Sequence, residues 1–115
     1  MKKKVFLFGD PIIDQYIWGD CNRVSPEAPI PILEIKKKEK RLGGAANVLA
    51  NLLALGIEVE YIFFYNDGDE NNNLIKKLKN TYSTLKLTSI SEKNAKLPLK
   101  TRFISSGQQL LRTDI

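Results

Sequence analysis

The chain has 115 residues, 43% hydrophobic and 27% charged, with 18 Lys plus Arg against 13 Asp plus Glu and no histidine. That length builds one small domain with its own core and excludes two, and the balance of apolar and charged residues excludes disorder as the dominant state. The missing histidine removes the commonest general base and metal ligand, and the single cysteine, Cys21, excludes a disulfide framework or thiol metal cluster and fits a reduced, cytoplasmic compartment.

A formal charge of +5 suits an anionic partner. Much of the excess comes from Met1-Lys2-Lys3-Lys4 and Lys36-Lys37-Lys38-Glu39-Lys40-Arg41, however, and such runs read as solvated faces or edge-strand protection. The basic residues are not interleaved with stacking aromatics, so no nucleic-acid partner is expected. Neither a signal peptide nor a membrane helix is expected, because the apolar run Val5–Phe8 is interrupted at Gly9-Asp10.

Val5-Phe6-Leu7-Phe8 reads as a buried strand feeding a loop at Gly9-Asp10, with Asp10 and Asp14 brought to its carboxyl end, where open α/β sheets place ligands. The stretch "GDPIIDQYIWGD" sets three aspartates among large apolar residues, and carboxylates are rarely buried without a polar partner. The prolines of Pro29–Ile35 exclude a helix interior and a central strand, which leaves an edge strand or a flap. In "RLGGAANVLANLLALGIEVEYIFF" the positions Ala45, Val48, Leu49, Leu52 and Leu53 form a helical stripe, Gly56 sits at the C-cap, and Val59–Phe64 follows as a strand. Strand, helix, strand predicts a parallel α/β unit.

Asn66-Asp67-Gly68-Asp69 reads as a turn, with Asp69 as N-cap of a weaker helix through Leu74, Ile75 and Leu78. Beyond Asn80 the chain is rich in Ser, Thr and Lys, and "LKTRFISSGQQLLRTDI" then alternates about Ser106-Gly107 as a hairpin does. In the first arm Lys100, Arg102 and Ile104 share one face, and Thr101 and Phe103 the other.

Gly43-Gly44 ahead of the helix lets the backbone approach a ligand and offers first-turn N–H groups to an oxygen-rich partner, with Asn47 and Asn51 on the polar side; the same residues also read as a plain loop and a polar helix face. GxGxxG and GxxxxGK[ST] are both absent. Asp14 and Asp10 are placed to accept from vicinal hydroxyls or to cap a turn. Lys100 and Arg102 read either as a phosphate clamp or as charge balance on a sheet. Tyr16 and Trp18 read as core or flap packing in preference to a stacking platform.

Together "GDPIIDQYIWGD", "RVSPEAPIPILEI", "RLGGAANVLANLLALG" and "LKTRFISSGQQLLRTD" resemble the first part of a ribokinase-type (PfkB) carbohydrate kinase, most closely the kinases of heptose 7-phosphate in lipopolysaccharide-precursor synthesis. "SPEAP" joined to "GGAAN" is the specific combination. The resemblance implies the N-terminal portion of a three-layer α/β fold, incomplete in this chain, with a β-lid over about residues 15–42, of which Asn22 to Leu42 closes over the sugar. It also implies that Asp14 holds sugar hydroxyls and that Gly43, Gly44 and Asn47 line the same site. Lys100 and Arg102 are the implied partners of the substrate phosphate; Gln108, Gln109 and Arg112 match the family's "QQLLR" without an assigned contact. A homodimer through the lid is implied as well.

The implied chemistry is transfer of the ATP γ-phosphoryl group to the anomeric hydroxyl with Mg²⁺ and an aspartate base. The family carries that base, its "GAGD" glycines and the ATP site later in sequence, so no catalytic residue is expected in this chain and its isolated activity is expected to be negligible. Asn66 and Asn71 stand where the family tends to have glycines, and the histidine-dependent nucleotidyltransferase fused to many relatives has no counterpart here. The readings from other classes are a non-catalytic sugar-binding or dimerisation module, a different PfkB-family sugar kinase, and a small basic nucleic-acid binder.

Overall fold

Apolar runs with β-branched and aromatic residues become the paired strands, and the Leu-rich stripe becomes the helix packed on them. The computed structural model describes residues 3–65 and 72–115. Its elements in chain order are β1 (Lys4–Phe8), β2 (Pro11–Val24), β3 (Pro31–Gly44), α1 (Ala45–Ala54), β4 (Glu58–Tyr65), α2 (Asn72–Thr81), β5 (Leu85–Ser91), β6 (Leu99–Ser105) and β7 (Gln108–Asp114). They form two compact units, Met1–Ile13 with Leu42–Pro98, and Asp14–Arg41 with Leu99–Ile115. The expected turn at Asn66–Asp69, its Asp69 cap and Asn71 lie outside the described residues.

The first unit holds a three-stranded parallel sheet in the order β1-β4-β5. β4 alternates strictly: Val59, Tyr61 and Phe63 are buried, and the Tyr61 and Phe63 rings stack at 4.9 Å. Against this sheet α1 buries Ala46, Leu49 and Leu53, while Val48 is 47% exposed. The buried stripe is therefore turned from the expected one: the small Ala46, not Val48, faces the sheet, because a methyl group permits close helix approach. The predicted C-cap at Gly56 is observed as a paired closure. Its N–H donates to the Leu53 carbonyl at 2.9 Å and the Ile57 N–H to the Leu52 carbonyl at 3.1 Å, satisfying carbonyls that the ending helix leaves open.

The strand β5 was not expected from sequence. Leu-Lys-Leu-Thr-Ser-Ile-Ser buries only Leu85 fully, so it carries little apolar signal; pairing with β4 from Val59↔Leu85 to Tyr65↔Ser91 makes it a strand. On the other face of β4, the Glu60 carboxylate lies near Lys4 Nζ (3.4 Å) and Lys86 Nζ (3.8 Å) and accepts from the Thr88 hydroxyl at 2.9 Å. The Thr88 hydrogen bond foremost, then the two lysines, holds its carboxyl below the ordinary glutamate value against some desolvation.

The second unit is built on the sheet order β3-β2-β6-β7. The segment expected as an edge strand or flap is its edge strand, β3. β2 departs from the expected loop after Gly9-Asp10: it resumes at Pro11 and runs 14 residues, so Asp14 sits within a strand instead of at the mouth of a loop. At Gly19 β2 lies close against β3, since a Cβ there would lie 2.2 Å from the Glu34 carbonyl oxygen. The predicted hairpin is present, β6 and β7 being antiparallel and joined by Ser106 and Gly107, both at positive φ (50° and 74°). A register shift falls between Phe103 and Ile104, where Phe103 faces Leu111 and Ile104 faces Gln109, so the extra residue is Leu110 on β7.

Two outcomes follow. Gly19→Ala forces β3 away from β2 and lowers thermal stability by about 1–3 kcal/mol, the usual cost of overpacking, with faster amide exchange along both strands. Glu60 has a depressed folded-state pKa, so its contribution is present above the unfolded value and is lost as pH falls through the folded one. A carboxyl-detected NMR titration should place Glu60 below an ordinary glutamate, and Thr88→Val should raise it.

Candidate functional site

In the first unit, the chain must turn from strand β3 into helix α1 within two glycines. Gly44 is the N-cap, with φ 56° and ψ −138°, a conformation that L side chains resist. A Cβ there would stand 2.9 Å from the Asp10 carbonyl oxygen and 3.0 Å from Ile12 Cγ1. Gly44 is thus required both by its backbone angles and by close approach. That approach lets the Ala45 N–H donate to the Asp10 carbonyl at 3.2 Å, tying the helix entry to the end of β1. The Tyr61 hydroxyl donates to the neighbouring Gly9 carbonyl at 2.8 Å, and burial first, with the Asp10 charge second, pushes that phenol far above its ordinary value. It stays a neutral donor at every physiological pH.

Gly43 is buried, and Gly44 and Asn47 are exposed at this helix entry. Asn47 and Asn51 share the exposed side of α1, as their spacing requires. The cap supplies no side chain of its own and no acidic residue occupies the first turn, which leaves the positive end of the helix to backbone and ligand groups.

In the second unit, β2 divides its side chains cleanly. Ile17 and Gly19 are buried, and Asp14, Tyr16 and Trp18 alternate with them on the opposite face. The structure joins Asp14 to Arg102, whose Nη1 donates to Asp14 Oδ1 at 2.9 Å, with both side chains about three-quarters buried (24% and 23% exposed). Adjacent on β6, the buried Thr101 hydroxyl donates to Gln15 Oε1 at 3.1 Å, which pins β6 to β2 on the other face. Asp14 and Arg102, expected as separate partners for hydroxyl and phosphate, are therefore already partners of each other.

Tyr16 and Trp18 stack at 5.6 Å with 15° between planes. The Arg41 guanidinium lies 4.6 Å and that of Arg102 5.4 Å from the Tyr16 ring, and Lys37 Nζ lies 5.0 Å from the Trp18 ring. Of the core and flap packing expected for this pair, the structure shows packing on a face of the second sheet, under cations. Lys100 faces Asp114 across the hairpin. Arg112 grips Asp114 through Nε (2.9 Å) and Nη2 (2.7 Å); this bidentate bond first, then the Arg112, Lys100 and Arg102 charges, holds the Asp114 carboxyl below its ordinary value. The contacts of Arg41 and Asp114 are not predicted from sequence, and Arg112, matched to the family's "QQLLR" without a contact, finds its partner in Asp114. The available signal was two-residue alternation: Asp14-Tyr16-Trp18 matches Lys37-Glu39-Arg41 only once both are known to be strands.

No family model matches the chain. The "Bifunctional protein HldE" of Aliarcobacter butzleri is 42% identical over 117 residues, covering 99% of this chain and 24% of that protein. Among solved structures, a carbohydrate kinase from Agrobacterium tumefaciens superposes with a TM-score of 0.75 at 20% identity over 100% of this chain and 36% of that one. The Arabidopsis thaliana ribokinase complexed with ribose and ATP does so with a TM-score of 0.70 at 14% identity, covering 100% and 36%. The chain thus spans about a quarter of the curated relative. The resemblance carried by "SPEAPIP" and "GGAAN" is borne out: the fold is that of the N-terminal part of ribokinase-like kinases.

Replacing Gly44 by alanine should cost about 1–2 kcal/mol from the left-handed backbone alone, and more from the contact with the Asp10 carbonyl. A lowered melting temperature with amide shifts concentrated at Ala45–Asn47 is the expected result.

Proposed function

We propose that this chain is the sugar-recognition part of an ATP-dependent sugar kinase whose substrate is a heptose 7-phosphate, phosphorylated at the anomeric hydroxyl. The observation that carries the reading is the 42% identity with a bifunctional HldE protein across 99% of the chain. The ribokinase-like fold supports a sugar substrate and ATP as phosphoryl donor, as in the ribokinase structure complexed with both.

In this reading Asp14 accepts hydrogen bonds from sugar hydroxyls through the oxygen that Arg102 does not engage, and Arg102 holds the carboxylate in orientation. Lys100 and Arg102 supply positive charge for the substrate phosphate. Gly43, Gly44 and Asn47 offer backbone and amide groups to the sugar. Among the described residues no three His, Cys, Asp or Glu side chains converge into a metal set, and Mg²⁺, ATP and the aspartate base are assigned to polypeptide beyond these residues. Residues 15–42 act as the lid. A homodimer through that lid accords with the apolar hollow of about 330 Å³ lined by Cys21, Pro31, Leu33, Phe103, Leu110 and Leu111. No helix among the described residues is long and apolar enough to cross a membrane, and a cytoplasmic location belongs to the same proposal.

The test is a titration of the 115-residue chain with D-glycero-D-manno-heptose 7-phosphate, followed by amide NMR, with ribose and fructose as competitors. Heptose 7-phosphate should shift Asp14, Gly43, Gly44, Asn47 and Arg102 at the lowest concentration. Asp14→Asn should weaken binding about 10- to 100-fold, the loss expected for hydrogen bonds to a charged group. Tighter binding of ribose or fructose would move the assignment to another sugar, and binding unaffected by Asp14→Asn would remove Asp14 from the site.

A further inference from the structure

The turn that leaves β1 and the turn that opens α1 lie face to face, and both lack side-chain bulk where they meet. A Cβ on Gly9 would stand 3.1 Å from the Ala45 Cβ, and one on Gly44 would stand 2.9 Å from the Asp10 carbonyl oxygen. Across this contact the Ala45 N–H donates to the Asp10 carbonyl at 3.2 Å, at the long end of the usual range. No side chain caps α1, so the Asp10 carbonyl takes up a first-turn N–H that a capping side chain would otherwise meet. Whatever holds the Gly9-Asp10 turn therefore also positions the helix entry.

That hold comes from the neighbouring strand. Pairing of β1 with β4 ends at Phe8↔Ile62, and the Gly9 carbonyl, one residue beyond, accepts from the Tyr61 hydroxyl at 2.8 Å across 52 residues of sequence. Tyr61 is fully buried and stacked on Phe63 at 4.9 Å, so close packing fixes the direction in which its hydroxyl points. Burial and the Asp10 charge keep that hydroxyl a neutral donor. A phenylalanine ring would fill the same space in the core; the hydroxyl is the part of Tyr61 that reaches the turn.

We infer that Tyr61 is a positioning residue for the sugar site: its hydroxyl holds the Gly9-Asp10 turn against the entry of α1 and thereby sets where Gly43, Gly44 and Asn47 present their groups. The inference rests on the sugar-recognition reading above and adds to it a residue buried beneath the site.

The test compares Tyr61→Phe with Leu85→Val in the 115-residue chain. Leu85 is also buried in the core, but it pairs with Val59, which pairs with Val5 near the start of β1, so its lost methylene lowers stability at the far end of the sheet from the turn. Tyr61→Phe should shift the Ala45 amide, speed its hydrogen exchange and weaken binding of heptose 7-phosphate about 3- to 10-fold, the loss expected for one net hydrogen bond. Leu85→Val should lower the melting temperature by a few degrees, as Tyr61→Phe does, and leave both the Ala45 amide and the affinity unchanged. Affinity that falls equally in the two variants would overturn the inference, because Tyr61 would then act through stability alone. Affinity that Tyr61→Phe leaves unchanged would also overturn it, with the sugar reading intact. An unsubstituted chain that does not bind heptose 7-phosphate would overturn the sugar reading and the inference with it.

Discussion

Strand β4 is the constraint on which the first unit depends. Its buried residues Val59, Tyr61 and Phe63 supply the surface that α1 covers, and its backbone pairs with both β1 and β5. Tyr61 also reaches beyond its own strand: its hydroxyl takes up the Gly9 carbonyl, next to the Asp10 carbonyl that receives the Ala45 N–H. One buried phenol thereby stands beside the entry of α1. Because burial and the Asp10 charge keep it protonated, the contact does not titrate away under ordinary conditions.

The second unit is organised by alternation along β2. One set of residues, Ile17 and Gly19, is buried, and the other, Asp14, Tyr16 and Trp18, meets arginines and a lysine from β3 and β6. Glu39 and Arg41, Arg112 and Asp114, and Asp14 and Arg102 all pair within this unit. Of the three, only the last is substantially buried. The exposed pairs are each worth little in water, so their contribution is to order the face. The buried pair instead fixes the orientation of the Asp14 carboxylate through its Oδ1.

Much of this was legible from residue pattern. The helix at Ala45–Ala54, the caps that end it, the strands around Val5–Phe8 and Val59–Phe64, and the Ser106-Gly107 hairpin all carry local signals that tertiary packing reinforces. The joined motifs pointed to ribokinase-like kinases, and the relatives agree. β5 escaped because a polar strand at a parallel edge is made by its neighbour's hydrogen bonds, not by its own hydrophobicity. Val48 was misplaced because a stripe of mixed Ala, Val and Leu admits two rotations, and only the sheet beneath selects the one that puts Ala46 inward.

The candidate site shows the same division. Sequence by itself determined that Asp14, Gly43, Gly44, Asn47, Lys100 and Arg102 are unusual in their surroundings, since a carboxylate among apolar residues and a glycine pair before a helix are local facts. Tertiary structure alone decided that Asp14 is held by Arg102, 88 residues away in sequence, that Tyr16 carries Arg41 and Arg102, and that Gly44 presses against the Asp10 carbonyl. The physical reason is range. Backbone angles and hydrophobic period act over a few residues, whereas an ion pair or a close backbone approach exists only after distant strands have been brought into register.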